Sequence, residues 1–202
     1  MTQYTEQEVK AILEPHHDDI TSLIRDAFGE WVATDECRKK KGFADVIYPR
    51  TVANYVFDAI ARGALNKFSN IGGVRVVSEP QTIKVVFKNA VIVRFKKSDK
   101  NGIGQNNITQ NVLNFTDPQA VLPGFPPEAA KVEVLWEPDE LGESIDKISV
   151  VSRSGEHVVW SYVIDISDSD ENIEKLPATL VAPEERLPLV AIKQHRLDKS
   201  SK

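Results

Sequence analysis

The segment from Val74 to Lys97 constrains the fold of this chain most strongly, because apolar and polar residues alternate along it and positive charge accumulates there. Alternation with a period of two is typical of β-strands that bury one face. Gly72 and Gly73 separate this segment from a region whose apolar residues recur with the period of a helix. We therefore predict that N-terminal helices are followed by a β-meander that starts at this point.

The central hairpin of the meander can adopt two registers. A two-residue turn would mix apolar and basic side chains on the same face. A three-residue loop over residues 88–90 leaves one face wholly apolar, with the pairs Phe87–Val91, Val85–Val93 and Ile83–Phe95. Asn89, in the middle of that loop, tolerates the left-handed backbone conformation that such loops need. We therefore predict the register with the three-residue loop.

The same register gathers basic side chains on the other face of the hairpin. Lys84 then lies directly opposite Arg94, and like charges that face each other across a ladder are destabilising. A phosphate group or a carboxylate of a partner would relieve this repulsion. We predict an anion, nucleic-acid or partner binding site formed by Lys84, Lys88, Arg94, Lys96 and Lys97. The alternative is a solvated edge whose lysines prevent aggregation between sheets.

Charge is segregated along the chain. The net charge of -5 and the pI near 5.5 argue against a general nucleic-acid-binding protein. Residues 84–100 nevertheless carry six basic residues against Asp99, whereas residues 128–146 carry seven acidic residues against Lys131. This asymmetry favours a protein with one surface that faces anions and one that faces cations, or a partner that carries both charges.

The cysteine content and the lengths of the apolar runs indicate the cellular compartment of the protein. Cys37 is the only cysteine, which excludes a disulfide framework and a cysteine zinc site. No apolar run reaches the ~18 residues of a membrane helix, and the N-terminal residues do not resemble a secretory leader. We expect a cytoplasmic protein without membrane contact, metal or other cofactor.

Hydrophobic periodicity predicts the fold class. The predicted helices are Glu6–Leu13, Asp18–Ala33 and Arg50–Phe68, with a loop at residues 34–48 between the second and the third. About six strands follow, including a strand at 131–137 and a hairpin formed by 146–152 and 157–166. We predict an α+β fold in which N-terminal helices pack on a largely antiparallel sheet.

The predicted organisation has three parts. A helical part spans residues 1–70, and a sheet part that forms one domain with it spans residues 71–166. A charged tail that contains several prolines occupies residues 167–202, and its composition is typical of segments that do not contribute to a core. The turn at residues 153–156 of the last hairpin is predicted to place the opposite charges of Arg153 and Glu156 at its mouth.

The residues that carry chemistry do not form a recognisable catalytic pattern. The run from His16 to Asp19 contains metal-ligand residue types, but a helix start explains it better because adjacent side chains on a helix diverge. A metal-free ribonuclease could use His157 and Tyr162 as acid and base, with Arg94 and Lys96 as a phosphate clamp. These residues lie on different predicted hairpins, so positions on the sheet surface are the simpler interpretation.

The aromatic residues of the last strands also have two interpretations. Trp136, Trp160 and Tyr162 have the character of base-stacking residues on sheets that bind single strands. Each alternates with residues suited to the opposite face of its strand. We therefore favour packing in the core or between layers.

Several short motifs resemble an uncharacterised prokaryotic family. They are Arg-Phe-Lys-Lys at 94–97, Asn-Ile-Thr-Gln at 107–110, Gln-Ala-Val-Leu-Pro-Gly at 119–124 and the final hairpin with Trp160. The resemblance covers residues 50–165. Members of that family begin with helices, and their genes neighbour regulators that join a helix-turn-helix to a zinc-metalloprotease-like domain. The resemblance implies one member of a toxin-antitoxin-like or mobile-element gene pair.

Two functions of different classes follow. The first is an interaction protein of such a pair, which binds a protein encoded by a neighbouring gene, or nucleic acid, through the basic face of the meander. The second is a small metal-independent nuclease, or another nucleic-acid-processing enzyme, that uses the same face. The two are distinguished by whether Lys84, Arg94 and Lys96 line a cleft with a titratable group or form an open face.

Overall fold

The computed structural model describes residues 4–80, 82–105 and 109–164. In chain order the elements are α1 (Glu6–Leu13), a 3-10 turn (Glu14–His16), α2 (His17–Lys40), α3 (Pro49–Phe68), β1 (Val74–Glu79), β2 (Thr82–Phe87), β3 (Val91–Lys97), α4 (Gln110–Thr116), β4 (Ala130–Pro138), β5 (Ile145–Ser154) and β6 (His157–Ile164). The predicted α+β class is confirmed. The tail predicted at residues 167–202 lies outside the described residues.

The N-terminal helices begin where local chemistry favours them. At α1 the Thr5 hydroxyl accepts a hydrogen bond from the Glu8 amide, and the Glu8 carboxylate accepts one from the Thr5 amide at 2.8 Å. Asp18 and Asp19 lie in the first turn of α2, where the helix dipole favours carboxylates. The predicted apolar stripe of α2 is buried in full, as Ile20, Leu23, Ile24, Ala27, Phe28 and Trp31.

Helix α2 is longer than predicted. We expected a loop from residue 34 onward, but the helix continues to Lys40. The ion pairs Lys39–Asp35 at 2.8 Å and Lys40–Glu36 at 3.4 Å connect successive turns of this extension. Three basic residues in its last turn also complement the helix dipole. The apolar stripe ends at Trp31, so hydrophobic periodicity carries no signal for these polar turns.

The six strands form one sheet in the order β1-β2-β3-β4-β5-β6. All neighbouring strands are antiparallel except β3 and β4, which are parallel. A parallel pair needs a crossover, and the segment that contains α4 supplies it. The predicted register of the hairpin is confirmed by the pairs Val85–Val93 and Phe87–Val91. Asn89 has the expected left-handed conformation, with φ of 52°.

The main core lies between the helices and one face of the sheet. The predicted apolar face of the hairpin is buried there together with side chains from the later strands. Trp136 is in this core, with its ring 5.9 Å from that of Phe28. Trp160 is partly buried and stacks on Tyr162 at 6.4 Å. The packing interpretation of these aromatic residues is therefore confirmed.

A second layer covers the opposite face of β2 and β3. Val86 and Ile92 on this face pack under Phe115 of α4 and under apolar residues of the segment that leads to β4, namely Leu122, Phe125 and Ala129. Lys131 holds that segment, because its Nζ donates to the carbonyls of Asn114 at 3.1 Å, Ala120 at 2.8 Å and Asp117. The expectation of an exposed basic face is therefore wrong for the covered part of the meander.

Candidate anion-binding site

The structure separates the five predicted site residues. Lys84 and Arg94 are buried, with 9% and 6% of their surface exposed. Lys88 is exposed in the hairpin loop, and Lys97 points to the helix-facing side, where its Nζ lies 5.7 Å from the centre of the Trp136 ring. Lys96 is partly buried, and its Cβ lies beside Glu133 on the face that carries Arg94, while its Nζ lies 5.9 Å from the centre of the Phe57 ring on α3. The structure therefore brings Arg94 and Lys96 together but leaves Lys88 and Lys97 elsewhere.

Lys84 is neutralised by a residue that sequence reasoning did not include in the site. Its Nζ lies 2.6 Å from both carboxylate oxygens of Glu79, and 5.1 Å from the centre of the Phe125 ring. Glu79 and Lys84 lie on neighbouring strands, so the antiparallel pairing of β1 and β2 sets up this contact. The repulsion predicted between Lys84 and Arg94 is thus balanced locally at Lys84.

Arg94 and Lys96 belong to a charged cluster that also contains Glu133 and Arg153. The parallel pairing of β3 and β4 places Glu133 directly beside Arg94. Arg153 reaches Glu133 from β5, with Nη2 donating to Oε1 at 3.3 Å and Nε at 3.0 Å from Oε2. The second contact is a close charge contact without hydrogen-bond alignment. Glu133 and Arg153 were missed because they come together only through tertiary pairing.

The position of Arg153 corrects the prediction for the last turn. We expected it to face Glu156 at the mouth of the hairpin. The residue instead belongs to β5, is buried, and donates from Nη1 to the Gly155 carbonyl at 2.9 Å while it pairs with Glu133. The Coulomb attraction between a carboxylate and a guanidinium is stronger when the pair is buried than when it is exposed, because solvent does not screen the buried charges.

The guanidinium of Arg94 is removed from solvent without being fully satisfied. It lies 4.7 Å from the centre of the Phe115 ring, which covers one of its faces. Its buried Nε has no hydrogen-bond partner among the described residues. Burial lowers the pKa of Arg94, and Arg153 adds to that effect, while Glu133 opposes it. A buried donor without a partner is costly, and an anion in contact with Nε would remove that cost.

Lys96 has a pKa close to neutrality. Burial lowers its pKa from 10.5 to about 8, with a further contribution from Arg94. The loop after β3 lies against this lysine, since Gly104 packs beside its Cβ. The loop is held by the bridge between Ser98 and Gly104 and by hydrogen bonds that the Asn101 and Ile103 amides donate to Asp99. The loop therefore contributes to the desolvation that shifts this lysine.

Gly104 lets this loop lie directly against the cluster. A Cβ atom at this position would be 2.6 Å from Oε2 of Glu133 and 2.9 Å from Cβ of Lys96. Real Cβ contacts are not this short, so any larger residue would have to displace the carboxylate or the loop. The absence of a side chain at position 104 thus keeps the charged cluster enclosed.

The cluster contains more positive than negative charge. Among the described residues of the cluster, Arg94, Lys96 and Arg153 supply three positive charges and Glu133 supplies one negative charge, an excess of two; Glu79, which pairs with Lys84, adds a weaker attraction at Arg94. Buried charges are normally paired, because an unpaired charge is strongly disfavoured in a protein interior. A carboxylate or phosphate would complete the balance, and planar guanidinium groups are well suited to both.

A surface groove of about 970 Å³ runs past this region. Phe115 and Arg153, which both touch the cluster, form part of its wall, together with Lys131 and Ser152. Its basic lining residues are Lys131 and Arg153, its acidic ones are Glu8, Asp117 and Glu128, and neither Arg94 nor Lys96 lines it.

The residues considered for a metal-free ribonuclease do not assemble. Tyr162 lies in the helix-facing core, where its hydroxyl is 3.2 Å from Nε2 of His17, and burial raises its pKa. His157 is exposed at the start of β6. Arg94 and Lys96 lie on the opposite face of the sheet from Tyr162. Within the described ranges, no group of three or more potential metal ligands is present.

Comparisons with protein-family models, with curated proteins and with solved structures gave no match to this chain. The resemblance to a prokaryotic family of paired genes therefore stays a prediction. None of the helices in the described part of the chain combines the length and the apolar character needed to cross a membrane.

Proposed function

We propose that this protein functions by binding an anionic group of a partner at the charged cluster that contains Arg94 and Lys96. The observation that carries the proposal is the excess of positive charge among the described residues of the cluster, together with the Nε of the buried Arg94, which has no hydrogen-bond partner among them. The guanidinium is already desolvated in the free protein. Binding of an anion therefore does not have to remove water from it, and this makes the free energy of binding more favourable. The ion pair between Arg153 and Glu133 connects Arg94 to the wall of the groove, because Glu133 lies beside Arg94 and Arg153 lines the groove.

The proposed partner is an acidic surface of a protein encoded by a neighbouring gene. The resemblance to toxin-antitoxin-like gene pairs supports a protein partner, and the net charge of -5 disfavours general binding to nucleic acid. A carboxylate also fits a site in which one acidic side chain, Glu133, already pairs with a guanidinium. We further propose that the complex forms in the cytoplasm. Nucleic-acid phosphate is the alternative anion for the same residues.

The nuclease alternative has one supporting observation. Lys96, with a pKa of about 8, is a group in the cluster that can exchange a proton near neutral pH. Cleavage of RNA or single-stranded DNA that is lost in Lys96→Gln and rises in wild type with a midpoint near pH 8 would favour this alternative over binding alone.

The decisive experiment compares binding by wild type and by the double variant Arg94→Gln/Lys96→Gln. Each protein is co-expressed with the neighbouring gene and purified, and its affinity for RNA and DNA is measured separately. We expect the double variant to lose at least about tenfold in affinity for the protein partner, or about 1.4 kcal/mol. Thermal unfolding of both proteins establishes that the fold is retained.

A matched control removes the same charge elsewhere. Lys88→Gln/Lys100→Gln also removes two positive charges, but both positions are exposed. We expect this control to bind as wild type does. Unchanged affinity of the Arg94→Gln/Lys96→Gln variant for the neighbouring-gene product and for nucleic acid would refute the proposal.

A further inference from the structure

The connection between α2 and α3 exposes an unusual combination of side chains. Phe43, Ile47 and Tyr48 are all exposed, and Ile47 is the most exposed large apolar residue in the described part of the chain, at 83%. The same segment carries five basic residues, Arg38, Lys39, Lys40, Lys41 and Arg50, against one acidic residue, Asp45. Lys39 and Lys40 pair with Asp35 and Glu36 on the preceding turn of α2, which leaves Arg38, Lys41 and Arg50 outside these pairs. We refer to residues 38–50 as the basic connector.

The basic connector is held in a defined conformation. The Phe43 amide donates to the Arg38 carbonyl at 3.1 Å, and Nη2 of Arg38 donates to the Ala44 carbonyl at 3.1 Å. The guanidinium of Arg50 lies 5.1 Å from the centre of the Tyr48 ring. The exposed apolar groups are therefore presented on an ordered surface, as in interfaces where apolar anchors lie inside a charged rim.

The loop between β4 and β5 has the complementary character. It presents Leu141, which is 80% exposed and second only to Ile47 among the large apolar residues described. The acidic residues Glu137, Asp139, Glu140, Glu143 and Asp146 surround it. We refer to residues 137–146 as the acidic loop.

The acidic loop is also ordered by its own hydrogen bonds. The carboxylate of Asp139 accepts bonds from the Glu143 amide at 2.9 Å and from the Ser144 hydroxyl at 2.8 Å. These bonds also lower the pKa of Asp139, so the loop keeps its negative charge. The high exposure of both Ile47 and Leu141 shows that neither side chain is covered within one copy.

We infer that the basic connector of one copy binds the acidic loop of a second copy of this chain. Leu141 inserts among Phe43, Ile47 and Tyr48, and the two sets of charges form the rim. The two most exposed large apolar residues of the described protein then cover each other, one in a segment with a net positive charge and the other in a segment with a net negative charge. Such a contact joins different surfaces of the two copies, so it yields a closed ring or an open chain according to its geometry.

Self-association is measured by sedimentation equilibrium of the full chain at about 0.05 M and about 0.5 M salt. We expect association at low salt that weakens at high salt, because the rim is charged and exposed. Ile47→Ser and Leu141→Ser should each raise the dissociation constant about tenfold or more. Leu65→Ser is the control, since Leu65 is exposed on α3 outside both surfaces and should leave the constant unchanged.

A charge exchange tests the pairing directly. Lys41→Glu/Arg50→Glu and Glu140→Lys/Glu143→Lys should each abolish association, whereas one chain that carries all four changes should associate again. A protein that stays monomeric at low salt would overturn the inference, as would a four-change chain without recovery. Binding of RNA or of an anionic vesicle that is lost in Ile47→Ser, with no self-association in wild type, would assign the basic connector to that ligand instead.

Discussion

Replacement of Lys96 by methionine should stabilise the protein at neutral pH. The side chain keeps its approximate length, but the buried positive charge is removed from beside Arg94 and Arg153. The pKa of Lys96 is lowered from 10.5 to about 8, which means that the folded protein disfavours the charged form. Removal of that charge therefore removes a cost of folding.

The magnitude follows from the pKa. At about 1.4 kcal/mol per pH unit, the difference between 10.5 and about 8 corresponds to about 3 kcal/mol. Lys96 retains some contact with solvent, which screens its charge. We therefore expect Lys96→Met to raise the free energy of unfolding at pH 7 by about 1 to 2 kcal/mol.

The pH dependence has a defined sign. Below about pH 8 the lysine is protonated in both states, and the cost is fully present. Between about pH 8 and pH 10.5 the unfolded chain binds more protons than the folded one, so the stability of wild type rises with pH. The advantage of Lys96→Met should therefore shrink across this range and vanish above it.

Urea unfolding at pH 7 and at pH 9.5 measures both effects. Lys100→Met is the control, because Lys100 is exposed and its replacement should change stability by less than about 0.5 kcal/mol. Phosphate should stabilise wild type more than Lys96→Met, since the anion balances the charge that the variant lacks. If Lys96→Met is less stable than wild type at pH 7, and by the same amount at pH 9.5, the cluster does not carry an excess of positive charge.

Three further perturbations test the surroundings of the cluster. Glu133→Gln should cost about 3 to 5 kcal/mol in urea unfolding, because it leaves Arg153 buried without its carboxylate; a cost below about 1 kcal/mol would contradict the pairing. Gly104→Ala should lower the free energy of unfolding by about 1 to 3 kcal/mol, because the added methyl group crowds Glu133 and Lys96. The control Gly29→Ala, which has open space around it, should stabilise α2 by up to about 1 kcal/mol. Equal effects of the two variants would refute the close approach of Gly104 to the cluster. Lys131→Met should speed hydrogen exchange at residues 114–120, and unchanged exchange there would show that its carbonyl contacts are dispensable.

Much of the fold could be predicted from local pattern. Apolar residues recur at helical spacing from Ile20 to Trp31 and at alternate positions after Gly73. Such recurrence within a short segment predicts both the type of element and the face that it buries. The hairpin register followed from the same rule, since only one pairing leaves a wholly apolar face. Arg94 and Lys96 were placed together correctly because alternate residues of one strand share a face.

Only tertiary structure decided what lies against that face. The crossover through α4 makes β3 and β4 parallel and sets Glu133 beside Arg94, a contact between distant parts of the chain that strand periodicity does not encode. The same crossover lays Phe115 over the guanidinium of Arg94 and turns a predicted basic surface into a buried charged cluster. The sequence by itself determined which side chains share a face, because that depends on local backbone geometry. Their burial and their partners depended on long-range packing, which joins segments that are far apart in the chain.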